Sequence, residues 1–259
     1  MRRSGICLLG LAALLACGNP PAIDDSKLVD LTYPLGEDTI FWPTSPPFRF
    51  ESRSAGKVEA GYWYAANVFT TAEHGGTHLD APFHFAEHGW KADDIPVSRF
   101  IGPACVIDVA EKAASDPDYR VTAGDIVAWE SEHGRLPEGA IVLVRTGWGR
   151  YWGDRRAYLG DDTPGNDKNL HFPGLSEEAA RMLAQDRTVD AVGIDTASID
   201  AGPSADFIAH QVLFEANVPA FENLANLDRL PESGATLIAL PSRIAGGSGG
   251  PLRAVALLP

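Results

Sequence analysis

The chain has 259 residues, enough for one large domain or two small ones, and its 45% hydrophobic and 22% charged residues are ordinary for a globular protein. A formal net charge of -14 speaks against a nucleic-acid partner, which needs a basic surface, and against electrostatic docking on anionic lipid.

The chain opens with Arg2 and Arg3, followed by an apolar run from Ile6 to Ala16 that ends at Cys17. A charged start and an apolar stretch too short to span a bilayer read as an export signal. Leu14-Leu15-Ala16-Cys17 resembles a bacterial lipobox, in which the cysteine is lipidated and becomes the first mature residue; the alternative is a plain signal peptide cut nearby. The expected organisation is a signal peptide over 1–17, a tether over 18–27 and one domain over 28–259. The expected location is exported, periplasmic or cell-surface, with the membrane touched only through the lipid on Cys17. Cys105, inside Ala104-Cys105-Val106-Ile107, is the one cysteine in the folded part and reads as a small buried hydrophobe.

Strand-like runs rich in Val, Ile and aromatics follow at Leu28 to Thr32, Gly61 to Thr71, Ala104 to Val109, Ala140 to Arg145, Val189 to Ile194, Thr236 to Leu240 and Arg253 to Leu257. Three helices have start signals. Thr122 and Asp125 form a capping-box pattern before Ile126, and Gly134 is a stop. Ser176 precedes two glutamates and opens Ala179 to Gln185. Asp206 is the expected cap of Phe207 to Ala216, which Asn217 ends. Strands outnumber helices and come in groups, so the expectation is a single mixed α/β domain with a β-rich core rather than a regular βαβ array. Tyr151 to Gly174 reads as a long binding loop, and Gly246 to Gly250 as a turn or a close backbone approach to a site.

The most informative segment is His74-Gly-Gly-Thr-His78-Leu-Asp80-Ala-Pro-Phe-His84. Gly75, Gly76 and Pro82 disfavour a helix, so the segment is expected on a loop after the strand at 61–71, with His78 and Asp80 on one side if the chain is extended. Imidazole nitrogens with a carboxylate oxygen suit Zn²⁺ or Mn²⁺, and an incompletely filled shell leaves room for a reactive water. His210 on the third helix and Glu222 after Val218-Pro-Ala-Phe221 are the candidate second half of the site, although by spacing alone a core histidine and a surface carboxylate fit as well. Asp195, Ser198 and Asp200 lie just past a strand, where Ser198 either hydrogen-bonds a substrate or belongs to a polar turn. His171 either approaches the pocket or stacks on its neighbours, and His88 and His133 read as structural or solvated.

The pattern His-x-Gly-Thr-His-x-Asp-x-Pro-x-His, matched without a gap from His74 to His84, resembles that of the cyclase family of metal hydrolases, which includes bacterial kynurenine formamidases and isatin hydrolases. The resemblance extends through His171-Phe-Pro-Gly-Leu, Gly193 to Asp200 and His210-Gln-Val-Leu to Phe221-Glu222-Asn-Leu. It implies a compact α/β domain of the swivelling β/β/α type, assembled as a homo-oligomer, a dimer or tetramer. It also implies His74, His78 and Asp80 as ligands of one metal, and Asp80, His210 and Glu222 around a second in two-metal members. By the same resemblance His84 is the proton donor and acceptor, and Trp42 in Phe41-Trp42-Pro43 lines the pocket. The implied activity is hydrolysis of an amide, a formamide or cyclic amide, in a small and aromatic substrate by activated water. The alternatives are a one-metal isatin- or lactone-type hydrolase and a non-catalytic metal- or ligand-binding lipoprotein. In the formamidases the tryptophan is usually followed by Pro-Gly-Asp, whereas Trp42 is followed by Pro43-Thr44-Ser45.

Overall fold

The structure, a computed structural model, describes residues 24–259. The expected export signal, lipobox and Cys17 anchor lie outside the described residues. Of the expected tether, Asp25–Lys27 form a 3₁₀ turn capped by Asp24, and the Lys27 carbonyl accepts from Leu258 N at 2.8 Å. This end of the tether is knitted to the last strand.

The strands are β1 (Leu28–Asp30), β2 (Arg49–Lys57), β3 (Trp63–Thr70), β4 (His78–Asp80), β5 (Ile101–Asp108), β6 (Arg120–Val121), β7 (Ile141–Arg145), β8 (Gly174–Leu175), β9 (Ala191–Ile194), β10 (Ala220–Glu222), β11 (Ala235–Pro241) and β12 (Gly249–Leu257). The helices are α1 (Ala110–Ser115), α2 (Ala123–His133), α3 (Arg155–Leu159), α4 (Glu177–Arg181), which continues as a π turn over Met182–Arg187, and α5 (Ile208–Glu215). The main sheet runs β1-β12-β11-β5-β7-β9-β10-β4, and β4 pairs back onto β12. The sheet therefore closes into a barrel, with β1 as an outer strand on β12. This is the mixed, β-rich α/β domain expected from the sequence.

The pairs β5–β7, β7–β9 and β9–β10 are parallel, and the strands around them are antiparallel. The parallel strands are near-continuous apolar runs because both faces are covered. Successive residues point to opposite sides: Cys105, Ile107, Val142 and Val144 pack under Ile126, Trp129, Leu183 and Phe214, while Val106, Leu143, Phe221 and Leu237 fill the barrel interior.

Each of the seven expected runs is a strand. β2 was not among the expected strands, because its Glu, Ser, Gly and Lys residues have low strand propensity. The strand expected over 61–71 is not in the core either. As β3 it pairs only with β2, in a two-stranded arm outside the barrel. The capping box at Thr122 and Asp125 forms as expected, with bonds of 3.2 and 2.7 Å. Asp206 does not cap α5. Phe207, at φ 51°, precedes the helix, and the carboxylate of Asp200 takes the amides of Ala209 and His210 instead.

Candidate metal centre and its cavity

The site is assembled at the seam where the barrel closes. His78 and Asp80 lie on a strand rather than on the loop expected for them, and being two apart on β4 they share a face. Register then does the rest: His78 faces Glu222 and Asp80 faces Ala220 across β10, while Gly249 of β12 lies opposite Asp80 on the other side. His74 comes from the preceding turn, where Gly76 adopts φ +61°. The backbone of β12 presses against it: a Cβ on Gly249 would stand 2.6 Å from His74 Cε1 and 2.3 Å from Leu79 O. The close approach expected of the 246–250 glycines is thus made at Gly249.

His74 Nδ1 is 2.5 Å from Asp80 Oδ1, and His78 Nε2 is 3.0 Å from the same oxygen and 3.6 Å from Glu222 Oε2. His210 Nε2 lies 3.1 Å from Asp80 Oδ2 and 3.2 Å from Glu222 Oε1. Donor atoms of His74, His78 and Asp80 fall within 4.8 Å of one another, and so do those of Asp80, His210 and Glu222. Asp80 belongs to both groups. Behind the site, His78 Nδ1 bonds Gly76 O at 2.9 Å and His210 Nδ1 meets Asp200 Oδ2 at 2.6 Å. These partners hold both rings with Nε2 inward, as metal-facing histidines are usually held.

Electrostatics set the groups against one another. Burial by itself raises the Asp80 pKa, but the charges of His74 and His78 outweigh it and hold the carboxyl well below its usual range. Burial opposes the charge on His78, yet Asp80 and Glu222 raise its pKa to about 9. Burial and the neighbouring Asp80 charge push Glu222 up.

The residues fit a divalent cation. Two buried carboxylates sit among imidazoles, and among the described residues no lysine or arginine lines the cavity to neutralise them. His78 Nε2 is buried and, despite its closeness to Asp80, makes no hydrogen bond. An unpartnered buried nitrogen beside two carboxylates is costly unless a cation completes it.

Above this floor is a cavity of about 380 Å³ with walls that include Phe41, Trp42, Phe85 and Phe207. His84 lines it, its ring stacked on His74 at 3.9 Å and 19°, and it belongs to neither ligand group. Burial holds the His84 pKa below the usual imidazole range, with Asp80 only partly opposing, so the ring is neutral at pH 7. Trp42 stands 6.0 Å from Phe207 and 6.4 Å, edge-on, from Phe172. Ser198 is buried on the cavity wall; its oxygen accepts from Asp200 N at 3.2 Å, which leaves its proton free to donate.

Of the candidates named from the sequence, His74, His78, Asp80, His84, His210, Glu222, Trp42 and Ser198 line this one cavity. His171 does not: it is exposed and pairs with Asp118 at 2.9 Å. Asp195 turns away and accepts from Thr146 and Gly147. The Tyr151 to Gly174 segment is better packed than a free loop, since Tyr158, Leu159, Leu170 and Phe172 are fully buried; Asp167 alone of that segment reaches the cavity. The residue whose part the sequence did not reveal is Asp200, which both starts α5 and orients His210.

A protein-family model described as "Putative cyclase" matches residues 29–201. The chain is 36% identical to an isatin hydrolase of Roseibium aggregatum, over 97% of both chains, and 32% identical to a kynurenine formamidase of Bacillus cereus, over 89% of this chain and 97% of that one. Among solved structures it is similar to an isatin hydrolase bound to the product analogue thioisatinate, with 35% identity, TM-score 0.81 and coverage of 90% and 92%. The isatin hydrolase A of Ralstonia solanacearum superposes with TM-score 0.80 at 35% identity, covering 90% of this chain and 92% of that one. With the fold, the ligand geometry and these relatives in agreement, the chain belongs to the cyclase family.

Proposed function

We propose that the protein is a metal-dependent hydrolase that opens the amide C–N bond of a small aromatic substrate, a cyclic amide of the isatin type in first place and an aryl formamide in second. The observation that carries this reading is the pair of His/carboxylate groups sharing Asp80 on the floor of an aromatic-walled cavity, with His84 beside them but outside both groups. His74, His78 and Asp80 would hold a Zn²⁺ or Mn²⁺ ion, and Asp80, His210 and Glu222 a second where two are bound. A divalent cation there supplies Lewis acidity, polarising a carbonyl and lowering the pKa of water to about 7.

The chain's own residues supply the remainder. Trp42, Phe85 and Phe207 give the planar ring of the substrate an apolar slot and exclude water around it. Ser198 donates its free proton to a substrate oxygen on that wall. His84, neutral at pH 7, takes the proton of the attacking water and delivers it to the leaving nitrogen, a step typically worth ~10²–10⁴-fold. The preference for a cyclic amide is favoured by Thr44 and Ser45, which line the cavity where formamidases usually carry Gly-Asp. Export and lipidation at Cys17 complete the proposal and rest on residues 2–17 alone.

The decisive experiment is hydrolysis of isatin and of a formyl-anilide by purified protein, with Zn²⁺ or Mn²⁺ and then with excess chelator. Ring opening of isatin that is lost on chelation and regained on adding metal is the expected result. A folded, metal-loaded protein inert toward both compounds would refute the proposal.

A further inference from the structure

His74 is held the opposite way round from the other two histidines on the cavity floor. His78 and His210 have Nδ1 fixed by Gly76 O and Asp200 and turn Nε2 inward. In His74 it is Nδ1 that faces Asp80, and Nε2 lies 2.9 Å from Ser248 Oγ. The Ser248 hydroxyl donates in turn to Glu73 Oε2 at 2.6 Å, and the Ser248 amide donates to the same oxygen at 3.0 Å. A hydroxyl whose proton is committed to a carboxylate has only lone pairs to offer, so it accepts from His74 and does not donate to it. The donors therefore run one way, from His74 Nε2 through Ser248 to Glu73. In a neutral ring this leaves Nδ1 as the acceptor on the side of Asp80.

The place of Ser248 is well defined. It ends the glycine-rich loop between β11 and β12, and the loop is pinned around it. Gly246 N donates to Asp93 Oδ1 at 2.8 Å, Gly247 O accepts from Ala92 N at 2.9 Å, and Ser248 O accepts from Ala81 N at 2.9 Å. Glu73 Oε1 rests against Gly247, where a Cβ would stand 2.8 Å from it, so a residue with a side chain would hold the loop off the carboxylate.

We propose that Ser248 and Glu73 are positioning residues for His74, which select the tautomer with Nδ1 unprotonated and fix the plane of the ring. Through the ring stacked on His74 at 3.9 Å they also set the plane of His84. The inference rests on the reading of His74, His78 and Asp80 as metal ligands. Ligation needs a neutral imidazole, and an outer hydrogen-bond partner decides which nitrogen is free to bind.

Competition for Zn²⁺ against a chromophoric chelator, on the purified full chain, tests the proposal with Ser248→Ala, Glu73→Gln and the double variant. Melting of the metal-free proteins checks folding. In Ser248→Ala the amide and carbonyl of residue 248 keep their bonds to Glu73 and Ala81, so the loop stays docked and only the hydroxyl is lost. Zn²⁺ affinity should fall about 10–100-fold in Ser248→Ala and by less in Glu73→Gln. The double variant should bind no more weakly than Ser248→Ala, because Glu73 acts through the hydroxyl. Nitrogen-15 NMR of the Zn²⁺-loaded wild type should find the His74 proton on Nε2, and in Ser248→Ala that proton should exchange quickly with water. Wild-type affinity in Ser248→Ala, additive losses in the double variant, or a His74 proton on Nδ1 would each overturn the inference and leave the metal reading standing. A folded wild type that takes up no Zn²⁺ would overturn both.

Discussion

Asp200→Asn tests the support of the metal centre at the point where it meets the start of α5. The carboxylate accepts from Ala209 N at 3.0 Å and His210 N at 3.1 Å and meets His210 Nδ1 at 2.6 Å, all in a buried setting. Asparagine has the same shape and keeps one oxygen, which still takes Ala209 N, but with its NH₂ group in the place of Oδ2 the His210 amide loses its acceptor. The loss of a negative charge at a helix start costs about 0.3–1 kcal/mol and the unpaired buried amide about 1–3 kcal/mol more. At ~2–4 °C per kcal/mol for a domain of this size, the melting temperature should fall by roughly 3–16 °C while the protein stays folded at room temperature. The effect on the site is larger in kind. The new NH₂ group donates toward Nδ1, which turns His210 to the tautomer with its proton on Nε2, the nitrogen that faces Asp80 and Glu222. Replacing such a partner of a metal-facing histidine typically costs about 10–100-fold in affinity, or ~1.4–2.7 kcal/mol. Titration calorimetry with Zn²⁺, paired with elemental analysis after dialysis, reads this directly. A variant that binds with wild-type affinity and stoichiometry would show that Asp200 does not govern His210, and the argument would fail.

His84→Ala should keep its full metal content and lose ~10²–10⁴-fold in turnover; metal lost in proportion to activity would make His84 a ligand instead. Gly249→Ala has no room, with Leu79 O and His74 in the way, and overpacking of this kind costs about 1–3 kcal/mol. A melting temperature equal to wild type would contradict that packing. Burial raises the Cys105 thiol pKa to about 11, so at pH 8 almost none is thiolate. A disulfide reagent at pH 8 should therefore not distinguish native wild type from Cys105→Ser, and should do so once the proteins are unfolded.

The elements legible in advance were those with a local cause. Apolar runs marked β5, β7 and β9 because these strands are buried on both faces, and Thr122 with Asp125 marked α2 because a capping box is a contact within four residues. The ligands were legible because His74, His78 and Asp80 are close in sequence. Their setting was not. That His78 and Asp80 lie on a strand depends on pairing with residues 220–222 and 249–251, far along the chain. That Asp200 rather than Asp206 starts α5 depends on the left-handed Phe207, a turn that no single-residue propensity announces. The exposure of β3 was hidden for a related reason: aromatic and β-branched residues signal a strand whether it ends in a core or outside one.

The seam between β4, β10 and β12 carries a consequence for how the protein matures. His78 and Asp80 appear early in the chain, yet they have nothing to converge on until Glu222 is aligned and the backbone at Gly249 is laid beside them. A slip of one residue at either pairing would turn both side chains outward. The centre thus cannot be complete until both distant pairings, with 220–222 and with 249–251, have formed in register.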